Sequence, residues 1–325
     1  MITAYRTHRT RLEKLDLNRH SLREACWIDL ESPTLAEEEA VEAALAIGIP
    51  TREDMQEIEA SSRAYVEDGA LFLTAQVLAT APQHQIDIAP VTFVITPGRL
   101  ITVHYHHPGS FDFFADWAAR HDTPLGSGIE ACLGLLESVV DRLADVLEAQ
   151  ARKLDALSKT IFEAHRPDGK TDTLAVVVQR IGRAEDLNGK TVESLSTIHR
   201  MLGALAVPAL PGMQPLVAGI DKAQLKSLTH DVRSLREVAE TQSQKIRFQL
   251  DATLGVINIR QSDIIKVFSV VAFVFLPPTL IASIYGMNFE LMPELKWKWG
   301  YPAALALMVV SAVVPWLIFR WKKWL

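Results

Sequence analysis

Tyr285-Gly286-Met287-Asn288-Phe289-Glu290-Leu291-Met292-Pro293-Glu294-Leu295 stands between two uncharged apolar runs, Val267 to Tyr285 and Tyr301 to Phe319. As helices rising about 1.5 Å per residue, each run is long enough to cross a hydrocarbon core of about 30 Å. Two spans put both ends of the chain on one side of a membrane. Arg260 and Lys266 precede the first span and Arg320, Lys322 and Lys323 follow the second, against Lys296 and Lys298 in the loop. Counting basic residues in this way turns the loop, residues 286–300, outward. Trp297, Trp299 and Tyr301 at one boundary, and Trp316, Trp321 and Trp324 near the other, suit the headgroup layer.

Composition alone reads otherwise. The 325 residues are 49% hydrophobic and 22% charged, as in an ordinary soluble protein. The apolar excess is confined to the last sixty or so residues, which leaves a part large enough to hold its own core. The start, Met1-Ile2-Thr3-Ala4-Tyr5-Arg6, shows no apolar stretch of signal-peptide length. The expectation is a cytoplasmic soluble part, both termini cytoplasmic, in a plasma (inner) membrane protein. Cys26 and Cys132 lack metal-type spacing and are expected to be reduced thiols.

The loop motif and its surroundings resemble the CorA family of magnesium channels. The resemblance rests on Gly286-Met287-Asn288 at the outer end of the first span, Met292-Pro293-Glu294-Leu295 after it, and Phe275-Leu276-Pro277-Pro278-Thr279 within the span. The closing Trp321-Lys322-Lys323-Trp324-Leu325 completes a likeness that starts near Gln261; upstream only the layout is similar. The family implies five copies around a central axis, magnesium as the transported ion with passage of cobalt or nickel, and closure by magnesium bound to cytosolic acidic residues between subunits. A zinc-transporting branch departs from Gly-Met-Asn, so Met287 argues against it. A membrane-anchored coiled-coil scaffold would explain the spans and not Asn288.

The resemblance implies ion selection at the motif, and physical chemistry is compatible with it. Mg2+ holds its six waters at about 2.0 to 2.1 Å and loses them reluctantly, so a mouth that grips the hydrated ion is preferable to one that strips it. Amide oxygens of Asn288, with the carbonyls of Gly286 and Met287, can accept hydrogen bonds from those waters without the tight hold of a carboxylate ring. Gly286 either brings backbone close to the axis or caps the helix. Within the first span Ser269, Leu276, Thr279 and Ser283 share a face with Ala272. The hydroxyls are candidates to line the pore or to bond a carbonyl one turn back, and Leu276 is a candidate constriction. Glu290 and Glu294 in the loop would concentrate cations, opposed locally by Lys296 and Lys298.

The remainder is expected to be α+β: a mixed α/β domain over 1–125, a helical stalk over 126–261 and the membrane domain over 262–325. Residues 25–30, 64–67, 70–78, 91–96 and 100–104 read as strands, with turns at Asp68-Gly69 and Pro97-Gly98-Arg99. Leu35 to Ile47 reads as an acidic helix ended by Gly48. Helices follow over 129–165 and 173–205. From Ile220 to Tyr285 no proline interrupts until Pro277, and Leu225, Leu228, Val232, Leu235, Gln242, Ile246 and Gln249 keep the spacing of a packing seam. One continuous helix of roughly 98 Å follows. Pro277-Pro278 predicts a kink in it.

The net charge of −6 falls within residues 1–60, where thirteen acidic residues face seven basic ones. That excess points away from nucleic acid and toward divalent cations, with Glu37, Glu38, Glu39, Glu42, Glu53 and Asp54 as candidate regulatory ligands or a solvated helix face. No phosphate loop, nucleophile elbow or His-Glu-x-x-His sequence is present, so neither a nucleotide nor catalysis is expected. His104-Tyr105-His106-His107 reads as an ordinary surface edge rather than a zinc site.

Overall fold

The computed structural model describes residues 1–57, 59, 62–80, 86–123, 125–163, 174–287 and 292–322. It divides into two compact units, one of residues 1–163 with 175–249, the other of 164–174 with 250–325.

The first unit is built on a seven-stranded sheet. Its strands are β1 (Ile2–His8), β2 (Arg11–Lys14), β3 (Trp27–Glu31), β4 (Ala64–Glu67), β5 (Ala70–Thr80), β6 (Ile86–Thr96) and β7 (Arg99–His104), in spatial order β2-β1-β3-β7-β6-β5-β4. Only the β3–β7 pair is parallel, with Trp27 opposite Leu100 and Leu30 opposite Val103. Both faces are covered, which is why the central strands read as apolar runs rather than as alternations. Trp27, Phe93, Ile95 and Leu100 enter one core, with Phe111, Phe114 and the long helices. Ile28, Leu30, Val94, Ile101 and Val103 enter the other, under α1 (Leu35–Leu45) and α2 (Arg52–Gln56), through Val41 and Met55.

Three expectations change in detail. Helix α1 ends at Leu45, where Ala46 takes the left-handed conformation (φ 57°), two residues before the glycine the reading relied on. Strand β6 starts at Ile86 and runs through Pro90, because β7 pairs only with Val91–Thr96 and leaves an open edge where a missing N–H is tolerated. An additional helix, α3 (Gly109–Arg120), covers the sheet and contributes Phe111 and Phe114 to the core. The hairpin turn at Asp68-Gly69 has both residues at positive φ, 49° and 72°, as a two-residue turn of that type requires.

Three long helices complete the unit: α4 (Gly128–Glu163), α5 (Leu174–Ala206) and the first part of α6 (Lys222–Tyr285). Gly128 starts α4 against the β6–β7 turn. A Cβ there would stand 2.6 Å from the carbonyl carbon of Arg99 and nearer still to the oxygens of Thr96 and Arg99. The outer edge of β5 is closed by α5, whose Thr197 hydroxyl accepts from Gln76 N–H at 2.9 Å and whose Ser194 donates to Gln76 O at 2.6 Å. Such closure blunts an otherwise exposed strand.

The expected seam on α6 is buried at Leu225, Leu228, Val232, Gln242, Ile246 and Gln249. Its amides bind backbone across the bundle: Gln242 Nε2 donates to Leu147 O at 2.9 Å and Gln249 Nε2 to Leu154 O at 2.7 Å. Asn188 on α5, fully buried, donates to Ala239 O at 2.9 Å and Ser243 Oγ at 2.8 Å. These bonds accept only one helix register, a use of buried amides in helix bundles that apolar contacts do not replace.

In the second unit, the part of α6 from Leu250 onward is accompanied by α7 (Gly300–Trp321), and both are long and apolar enough to cross a membrane. Phe273 and Phe319 bring their ring centroids to 5.9 Å. Arg320 lies 5.3 Å over the Trp316 ring, a cation held at the expected headgroup level.

Candidate functional site

The residues singled out at the top of the first span lie at the end of α6. The helix closes at Tyr285, and Gly286 N–H still donates to Ala282 O at 2.9 Å. Gly286 is absent from the positive-φ residues, so the left-handed cap is not its role. A Cβ there would lie 3.1 Å from Ala282 O, a tight contact that glycine avoids. Met287 is exposed. Asn288 and Glu290 lie outside the described residues, as does the side chain of Glu294.

Below the mouth, the hydroxyls divide. Ser269 Oγ donates to Ile265 O at 2.8 Å, and Thr279 Oγ1 lies 2.9 Å from Phe275 O and 2.8 Å from Leu276 O. Both protons are committed to backbone, which leaves only the oxygen lone pairs for a passing ion's water. The Ser283 hydroxyl makes no hydrogen bond among the described residues. Helix α6 runs through Pro277 and Pro278, which supply no N–H to the carbonyls of Phe273 and Val274. Leu276, on the same face as the hydroxyls, is exposed in the single chain.

The CorA-like Mg2+ transporter protein family model matches residues 23–323. The chain belongs to this family. It is 35% identical over 327 aligned residues to the magnesium transport protein CorA of Yersinia pseudotuberculosis and, equally, to that of Escherichia coli K12, covering all of each. Its fold is similar to the complete CorA magnesium transporter structure from Methanocaldococcus jannaschii, with a TM-score of 0.80 at 19% identity, over 100% of this chain and 99% of that one. An α+β soluble part with two C-terminal membrane helices is thus the CorA-family plan, and this CorA-family chain is a membrane protein.

The acidic residues named from this CorA-family sequence have local duties. Glu37 Oε2 accepts from Thr34 N at 2.9 Å and closes the capping box of α1, and Asp54 Oδ2 accepts from Thr51 N at 2.9 Å to do the same for α2. The backbone bond from Thr34 holds the Glu37 carboxyl below its ordinary range, opposed by burial and helped by the Thr34 hydroxyl and the chain's amino terminus. Glu42 Oε1 accepts from Ile49 N at 2.8 Å, and Glu38 from Tyr105 OH at 3.2 Å. Glu39 and Glu53 are exposed. Among the described residues no three His, Cys, Asp or Glu side chains are grouped to hold a metal ion. Cys26 and Cys132 are free and buried.

The histidine run fits a surface edge at His107, which is exposed, and not at His104. His104 is 1% exposed, its Nε2 2.9 Å from Asp29 Oδ1 and its Nδ1 2.5 Å from His106 O. Asp29 also accepts from Thr102 Oγ1 at 2.5 Å, and Thr102 in turn accepts from Trp27 Nε1 at 3.0 Å. The signal was the parallel β3–β7 register, which places His104 opposite Glu31 beside Asp29 and which no local pattern shows. Burial pulls the His104 pKa down, yet Asp29, the His106 carbonyl and Glu31 outweigh it and leave it raised. Burial, then the charge of His104, lowers His106 to about 4.

His106 sets a pH dependence. Its folded pKa lies below the unfolded value of 6.5, so between about pH 6.5 and 4 the unfolded chain binds the extra proton and stability falls as pH falls. At pH 5 that amounts to about 2 kcal/mol at most. His104 and His107, both raised, act in the opposite sense and lose their contribution as pH rises. Thermal melting of the purified protein at pH 7 and pH 5, beside His106→Gln, separates these effects. The variant is expected to lose less on acidification, and an equal loss would remove His106 as the cause.

Proposed function

We propose that this chain is one subunit of a homopentameric channel that carries hydrated Mg2+, and also Co2+ and Ni2+, into the cytoplasm across the inner membrane. Both termini would then face the cytoplasm and the 286–300 loop the exterior. The observation that carries the reading is Gly286-Met287-Asn288 between two terminal membrane-length helices, in a chain 35% identical along its full length to proteins described as magnesium transport protein CorA. Mg2+ is the cargo, and the amide of Asn288 with the backbone at Gly286 and Met287 would hold its water shell at the mouth. Glu290 and Glu294 would raise the local cation concentration outside it. The hydroxyl oxygens of Ser283, Thr279 and Ser269 would line the path as acceptors, with Leu276 as the apolar constriction.

The membrane potential supplies the driving force. At roughly 2.3 kcal/mol per charge per 100 mV, a divalent ion gains about 4.6 kcal/mol on entry. No nucleotide is needed. Closure at high internal Mg2+ would come from acidic residues of neighbouring subunits, since one chain alone groups no three of them among the described residues. Glu39 and Glu53, free of capping duties, are better placed for this than Glu37, Glu42 or Asp54, with Glu38 engaged by Tyr105.

Liposomes holding the purified protein and internal fluorescent indicators test the reading. Mg2+ influx is expected to grow with an imposed inside-negative potential. Proton-dependent Zn2+ flux without Mg2+ flux would move the protein to the zinc-transporting branch, and no flux of any ion would leave a membrane-anchored scaffold.

A further inference from the structure

Two exposed stripes of opposite charge and equal spacing run along different helices of the first unit. On α4, Glu137, Asp141, Asp145 and Glu148 follow steps of four, four and three residues. On α6, Lys222, Lys226, His230 and Arg233 follow the same steps. At 3.6 residues per turn each set stays within roughly 80° of one helix face and extends about 16 Å along it. All eight side chains are exposed.

The stripes do not meet within one chain. Gln224 Nε2 donates to Glu137 Oε2 at 3.1 Å, which identifies the face of α6 that looks toward the acidic stripe. Asp231 shares that face. Burial first, then the charges of Glu137, Asp145 and Asp231, raise the pKa of Asp141. The four basic residues lie about 120° to 180° around α6 from Gln224. Among the described residues Asp141, Asp145, Lys222, Lys226 and His230 make no ion pair, while Glu148 reaches only Arg152 and Arg233 only Glu237, one turn away. Such exposed pairs contribute little. Arg142 lines the same recess as Asp141 and Asp145.

Each stripe borders an apolar recess. Beside the acidic one, Phe113, 60% exposed, lines a cavity of about 370 Å3 with Ile86 and Val146. Beside the basic one, Leu205, Val217, Ile220 and Leu225 line a cavity of about 770 Å3. An apolar centre with a charged rim is the anatomy of a protein interface.

We propose that a second copy of this chain occupies these faces, its Lys222, Lys226, His230 and Arg233 seated against Glu137, Asp141, Asp145 and Glu148 of its neighbour. The proposal rests on the reading that the chain assembles with copies of itself. Two different patches of one molecule meet, so the contact is heterologous and, repeated head to tail, generates a ring when the rotation closes. A partner of uniform charge would satisfy one stripe and repel the other. A neighbour's lysines would also offset the mutual repulsion of Glu137, Asp141, Asp145 and Asp231, which form no ion pair among the described residues and have Arg142 as the basic group beside two of them.

Zero-length carbodiimide coupling of carboxylates to amines tests this on the full chain in detergent, assembled from mixed 14N and 15N copies. Mixed-isotope products joining 137–148 to 222–233 are expected. Asp141→Lys with Asp145→Lys, or Lys222→Glu with Lys226→Glu, should each lower their yield at least tenfold, and the four changes together should restore it to within twofold. A multi-copy mass with no such product, or no restoration in the combined variant, overturns the proposed contact and leaves the assembly reading standing. A single-copy mass removes both.

Discussion

Asn288→Ala is expected to abolish Mg2+ influx into liposomes while the assembled mass of the protein stays as in the native chain. The expectation follows from what the mouth must do. A hydrated Mg2+ presents water hydrogens, and only acceptors can hold it; the alanine methyl is not one. In a ring of copies the substitution removes every amide oxygen at once. If each contributes about 1 kcal/mol to holding the ion, five together give about 5 kcal/mol, a loss of more than a thousandfold. Gly286 and Met287 offer only backbone carbonyls and cannot make up that difference. Helix α6 ends at Tyr285, three residues short of the change, so the helix ladder is untouched and assembly should survive. Uptake that persists at the native rate in the variant would remove Asn288 from the pathway, whereas loss of assembled mass would make the residue structural.

The parts of the fold written in local patterns were legible. The spans show in uncharged runs, α6 in its unbroken three-four spacing, and the turn at Asp68-Gly69 in two residues that accept positive φ. What depends on pairing between distant segments was not. His104 reads as an edge residue because it ends the strand 100–104 with no third metal ligand nearby in sequence, and only the β3–β7 register buries it beside Asp29. Asn188 looks like one more polar residue on a long helix until α6 supplies Ala239 and Ser243. Glu37 and Asp54 suggested cation ligands in a row of carboxylates, although each stands three residues after a threonine, the spacing of a capping box. At the candidate site, the motif names its residues, and periodicity placed the hydroxyls on one face. Periodicity could not say which protons are spent: those of Ser269 and Thr279 are spent on carbonyls, whereas that of Ser283 has no partner among the described residues.

Gly128→Ala is expected to cost about 3 kcal/mol or more, enough to lower the yield of folded protein sharply. The glycine is not required for its dihedrals, since it is not among the residues at positive φ. It is required for space. The first turn of α4 is pressed against the β6–β7 turn, and an added methyl would overlap the carbonyls of Thr96 and Arg99. Backbone cannot swing aside as the end of a long side chain can. Thr96 Oγ1 already donates to Arg99 O at 3.0 Å and accepts from Arg99 N at 3.2 Å, so the turn is held in place. Relief would therefore have to come from α4 lifting off the sheet, which exposes Ile129, Leu133 and Leu136 from the core. Gly98→Ala, in the same turn, is the control: no atom lies within 4 Å of its added methyl. Thermal melting in detergent should place Gly98→Ala near the native chain and Gly128→Ala far below it. Equal melting temperatures for the two variants would mean that the helix start yields without cost, and that the close approach at Gly128 does not hold α4 to the sheet.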